Sequence, residues 1–232
     1  MTVDDAAYPR FIVEDDRPTA EPTLSAAFHE SNLSHLIGRR ATAGIWPDDS
    51  EDPEAVRHFI VGQKALYEDK DAVAAIRAYE AALERDSSYF KAWVAIAIAY
   101  ITDNTLESLQ KAESVLENLA ALPISDWLTS EVSSIVYQNL AYLHLHYYRL
   151  RQDARHLAEA DRRYAIADAR CNGRERIEFL CPWAFVKAEM GDADSAQALW
   201  ERAERYAAEH GTPHLLKEYA AKYAPLRTFM KS

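Results

Sequence analysis

From Glu54 onward, apolar side chains return every three or four positions almost without a break, the spacing that lines one face of an α-helix. Such runs predict helices over 54–68, 71–85, 88–102, 105–121, 126–150, 153–170, 174–190, 192–209 and 212–223. Residues that stop or start helices stand between them: Asp86-Ser87-Ser88, Pro123, Cys171-Asn172-Gly173, Met190-Gly191-Asp192 and His210-Gly211-Thr212-Pro213. The connections are short, so successive helices are expected to pack antiparallel. No run alternates with period two over strand length, and the expected fold class is all-α.

Alternate helices share one element: Ala, a large side chain four residues on, and a small or aliphatic one three further. It occurs as Ala75/Tyr79/Ala82, Ala112/Leu116/Leu119, Ala160/Tyr164/Ala167 and Ala196/Trp200/Ala203, with the leading alanines 37, 48 and 36 residues apart. The preceding helices carry Trp93, Ile96, Ala97 and Tyr100, then Tyr137, Leu140, Ala141 and His144. In the first repeat, Gly62 and Leu66 take the small-then-large places about one residue out of register. The whole resembles the tetratricopeptide repeat, whose helix pairs of about 34 residues show W-x2-L-G-x2-Y and A-x3-F-x2-A patterns. About four irregular repeats cover 54–209, the third some 14 residues over length. Leu180, Trp183 and Ala184 fit the fourth, where Pro182 is expected to interrupt the helix.

Residues four and seven apart share a helix face. Alanine there lets a partner helix come close while Tyr or Trp fills the space between neighbouring pairs. A single pair leaves a face uncovered, and stacking covers it. The resemblance therefore implies a right-handed α-solenoid of antiparallel helix pairs over 54–224, with helix 212–223 as the terminal cap and 225–232 as a C-terminal tail.

Composition changes the picture at the N-terminal end. The chain has 232 residues and a formal charge of −11, and residues 1–54 alone hold 12 acidic against 4 basic residues. With five prolines, residues 1–53 read as an acidic, largely flexible arm, broken by a short helix over 23–39 that carries Leu24, Phe28, Leu36 and Ile37. The charge argues against nucleic acid and anionic membrane as partners. There is no secretory h-region and no 18-residue apolar run, and Cys171 and Cys181 form no paired motif. Both cysteines are read as reduced, with no membrane insertion and a cytoplasmic location expected.

Candidate chemistry is sparse. His144 and His146 diverge by about 200° on a helix and do not chelate one ion together. His210 and His214 flank Gly211 and Pro213 at a helix junction. No zincin, EF-hand, phosphate-loop, dinucleotide or nucleophile-elbow motif occurs, and Cys181 reads as a core thiol. No enzyme, metal or cofactor is expected.

By the resemblance, the inner face comes from the first helix of each pair. That implies a partner-binding surface of Lys64, Tyr67, Lys91, Val94, Ile98, Ile101, Gln138, Asn139, Tyr142 and His146. It suits a peptide or helical segment of a protein partner. Relatives that clamp a C-terminal carboxylate do so with Lys and Asn; here Asn139 fits one such place while Ile60, Ala95 and Ile135 occupy others, so that clamp is not expected. Three readings follow. The first is a non-catalytic scaffold or adaptor, with homo-oligomerisation left open. The second is a sensory or secretion-chaperone protein whose arm masks the groove. The third is an enzyme built around Tyr142, His144, His146 and Arg151.

Overall fold

Aspartates set the helix starts. In a computed structural model that describes residues 50–121, 130–171 and 176–230, Asp52 accepts hydrogen bonds from the Glu54 and Ala55 amides at 2.8 and 3.3 Å and opens α1, Pro53–Tyr67. Asp71 does the same for α2, Ala72–Arg85, and Thr105 for α4, Leu106–Ala120. Asp153 opens α6, Ala154–Arg170, and Asp192 opens α8, Ala193–His210. Each side chain satisfies amides that the first helical turn leaves without an acceptor, a contribution of about 0.5–2 kcal/mol apiece. The remaining elements are α3, Phe90–Asp103; α5, Ser130–Arg151; α7, Ile177–Glu189; α9, Pro213–Lys222; and a 3-10 turn, Ala224–Phe229. No strand occurs among the described residues.

The helices after residue 50 match the runs read from the sequence to within a few residues. Pro182 is the exception. It lies inside α7 without ending it, in the sixth position of a helix buried from Phe179 to Val186, where surrounding side chains hold the segment helical despite the missing amide. Residues 225–230, expected as a tail, belong mostly to the 3-10 turn, which packs on α7, α8 and α9 and buries Leu226. The arm 1–49 with its helix 23–39, and the Pro123 and Asn172-Gly173 junctions, lie outside the described residues. No described helix is long and apolar enough to cross a membrane.

Contacts divide the chain into two compact units, meeting in sequence at Thr129 and Ser130. In the first, α1 packs on α2, α2 on α3 and α3 on α4, and α1 also touches α3. Arg85 at the end of α2 pairs with Asp52 before α1 at 2.9 Å, and Gln63 donates to the Tyr79 hydroxyl at 2.9 Å, so these two helices run antiparallel. At Gly62 the Tyr79 ring of α2 lies against the backbone of α1. A Cβ there would overlap the ring of Tyr79, which has no exposed area and nowhere to move. Gly62→Ala is therefore expected to destabilise the protein by about 1–2 kcal/mol in chemical denaturation, overpacking outweighing the better helix propensity of alanine.

In the second unit, α5 packs on α6 and α7 on α8, α6 and α5 both reach α7, and α9 closes on α7 and α8. Pairing of Ser134 with the Ala167 carbonyl, 2.8 Å, and of Arg170 with Ser133, 2.6 Å, makes α5 and α6 antiparallel. Asp161 on α6 accepts from Trp183 at 2.7 Å and Lys187 at 2.9 Å and ties α6 to α7. All twelve positions of the repeated Ala/large/small element are buried, none more than 1% exposed.

Candidate partner-binding surface

The ten residues proposed for a partner fall in both units and differ in what they offer. In the first, Lys64 is exposed with Asp69 at 3.8 Å, and Tyr67 and Lys91 are half-buried. Val94, Ile98 and Ile101 are not on an accessible wall. From Ala92 to Ile101, α3 is apolar on every side and each residue is buried, and Ile98 and Ile101 have no exposed area. Reading them as groove residues assumed an open face along the middle of the helix, and the burial of Ala92 to Ile101 leaves none there.

In the second unit Asn139 and Gln138 are also buried. Asn139 donates to the Ile135 carbonyl at 2.9 Å, one turn back along its own helix. Gln138 donates to Ser134 at 3.1 Å, extending the polar link to α6, and its own carbonyl oxygen is buried with no hydrogen-bond partner among the described residues. Tyr142 is half-buried and His146 is buried, their rings 4.8 Å apart.

Around Tyr142 and His146 the structure gathers residues that spacing along one helix did not bring together. Tyr142, His146 and Arg149 follow at four and three residues on α5 and so share a stripe. The Arg149 guanidinium lies 5.9 Å from the Phe185 ring centroid of α7 and 4.9 Å from that of Tyr223, which follows α9. Phe185 and Tyr223 stack at 4.6 Å. From α9, Lys222 donates to the Tyr142 hydroxyl at 3.0 Å and stands 5.9 Å from the same Tyr223 ring. Two cations thus converge on one aromatic cluster. Burial, and then the nearby Arg149 and Lys222, hold the His146 imidazole down to about 3, so it is neutral at physiological pH.

His144 and His156 meet although they are far apart in sequence. The α5–α6 turn at Gln152 and Asp153 folds one onto the other, with Nδ1 atoms 3.3 Å apart and stacked rings. The short break between the helices read over 126–150 and 153–170 was the available signal. Burial keeps His144 down to about 4. Groups that hold protons this weakly are poor general bases near neutral pH. Glu159, nearest in charge, is engaged by Arg162 and Arg163, and no cluster of three metal-ligating side chains occurs among the described residues. The Cys181 thiol has no exposed area, and burial pushes its ionisation well up, away from nucleophilic thiolate character. Arg151, on the last turn of α5, is exposed and lies over the Tyr147 ring at 5.5 Å.

No protein-family model, curated protein or solved structure matches the chain.

Proposed function

We propose that the chain is a non-catalytic scaffold of stacked antiparallel helix pairs, a solenoid of the tetratricopeptide type, that binds a segment of a partner polypeptide. The observation that carries this reading is the complete burial of the Ala/large/small element in four alternate helices. Alanine at those places serves close approach between helices, and contacts between alternate helices, α1 with α3 and α5 with α7, are those that pair-on-pair stacking requires. In such an array the first helices of the pairs offer side chains to a ligand, and here the accessible ones are Lys64, Tyr67, Lys91 and Tyr142.

The chemistry of His144, His146 and Cys181 favours this reading over an enzyme, since each is buried in its neutral form. The test is site-resolved photocrosslinking. The full chain carrying a benzophenone amino acid at position 67 or 142 is expected to capture the same polypeptide in its native cells. The same probe at Glu201, exposed on α8, is expected to capture none. Equal capture from all three positions would remove the mapped face, and no capture from 67 and 142 would remove the function.

A further inference from the structure

We infer that the cluster formed by Tyr142, His146, Arg149, Phe185, Lys222 and Tyr223 is a subsite for a carboxylate of an acidic segment supplied by a partner polypeptide. This rests on the reading that the chain binds a polypeptide, and it specifies the chemistry of what is bound.

The charge pattern carries the inference first. Arg149 and Lys222 approach the same Tyr223 ring from two different helices, and neither has a carboxylate at ion-pair distance among the described residues; their partners are aromatic faces and the Tyr142 hydroxyl. Elsewhere in the same unit Arg170 lies over Tyr137 at 4.5 Å and bonds Ser133, while three other half-buried cations are matched to acids. Arg202 pairs with Asp168 at 2.6 Å, Lys187 with Asp161 at 2.9 Å and Arg163 with Glu159 at 2.6 Å. In a chain with 37 acidic and 26 basic residues, two converging cations left without an acid mark a place where negative charge is accepted.

A second, independent observation points to the same cluster. The Tyr223 side chain is 1% exposed, yet its hydroxyl has no hydrogen-bond partner among the described residues. A buried phenol costs free energy unless its polar end is satisfied, and an oxygen acceptor brought to the cluster supplies that bond. The chemistry is complementary: a planar guanidinium and an ammonium for the charge, and phenolic hydroxyls as donors. The rings of Phe185 and Tyr142 suit an apolar or aromatic residue beside the acid. Selectivity is local, because the net charge of −11 repels acidic peptides over the molecule as a whole.

The probe is a fluorescein-labelled heptapeptide, Gly-Leu-Asp-Glu-Leu-Glu-Asp, compared with its Asn/Gln counterpart by fluorescence anisotropy on the full chain. The acidic form is expected to bind at least tenfold more tightly. Arg149→Gln and Lys222→Gln are each expected to weaken it at least tenfold. Arg149→Lys, which keeps the charge in the same place, retains most of the binding, and this distinguishes a binding role from a folding defect. Lys111→Gln, which removes a charge already paired with Glu107 in the first unit, leaves it unchanged. Equal binding of the two peptides, or an unaltered affinity in both cation variants, overturns the subsite even where crosslinking from positions 67 and 142 succeeds. Binding seen only after removal of residues 1–49 assigns the cluster to the chain's own acidic segment and overturns a partner in trans.

Discussion

Trp200→Ala is expected to cost about 3–5 kcal/mol, the range for removing a large aromatic ring from a core that cannot collapse around the gap. Trp200 is 1% exposed and belongs to a cluster that takes in Leu199 and Ala203 of its own helix, Tyr164 of α6, Phe179 and Trp183 of α7, and Tyr219 of α9. Its indole nitrogen donates to Glu204 at 3.2 Å, so the substitution also leaves that carboxylate without a donor it now has. In the second unit of about 100 residues, each kcal/mol corresponds to a midpoint shift of about 4–8 °C, so circular-dichroism melting is expected to show a fall of more than about 10 °C. Val73→Ala, at a side chain 49% exposed on α2, is expected to change stability by less than about 0.5 kcal/mol. A Trp200→Ala midpoint equal to that of Val73→Ala would mean that the large residue of the repeated element does not fill the space between helices.

That residue was legible in the sequence because its role follows from spacing. Ala196, Trp200 and Ala203 repeat the intervals of Ala75, Tyr79 and Ala82, and a helix of 3.6 residues per turn has to put each set on one face. The helix starts at Asp71, Asp153 and Asp192 were legible for a related reason, since a cap acts within three residues of itself. What spacing could not supply is the second partner of each face. Ile98 and Trp200 are both apolar, yet whether a face of α3 is open depends on what else packs against it, and the structure closes every side from Ala92 to Ile101. Pro182 reads locally as a break, and tertiary packing around α7 overrides it. Arg149 on α5 is 73 positions from Lys222 and 74 from Tyr223 at the end of α9, so no window along the chain unites them. His144 and His156 lay nearer to sequence reasoning, because the short break at Gln152 and Asp153 folds α6 back along α5.

Acidification is expected to destabilise the second unit well before carboxylates titrate. Burial holds His144 down to about 4 and His146 down to about 3, against an unfolded value of 6.5. For a group whose folded pKa is depressed, the unfolded chain binds the proton first. The stabilisation is complete above pH 6.5, is lost as pH falls below that value, and ceases to change only once the folded pKa is passed. Two such groups make the loss steep: about 2–3 kcal/mol per pH unit near pH 5, and about 4 kcal/mol in all between pH 7 and pH 5. Below about pH 4.5, Glu159 adds to it, because the Arg162 and Arg163 bonds that hold its carboxyl down to about 2 are broken by protonation. Glu80 in the first unit acts in the opposite sense, since burial raises its carboxyl and the folded state there takes up a proton more readily than the unfolded chain. Urea denaturation at half-unit steps from pH 7.5 to 4.5 measures the slope directly. His144→Gln and His146→Gln are each expected to remove about half of it between pH 6.5 and 5, whatever they do to stability at pH 7. An unchanged slope in both variants would place the proton uptake on other groups and would mean that neither imidazole is held neutral by its surroundings.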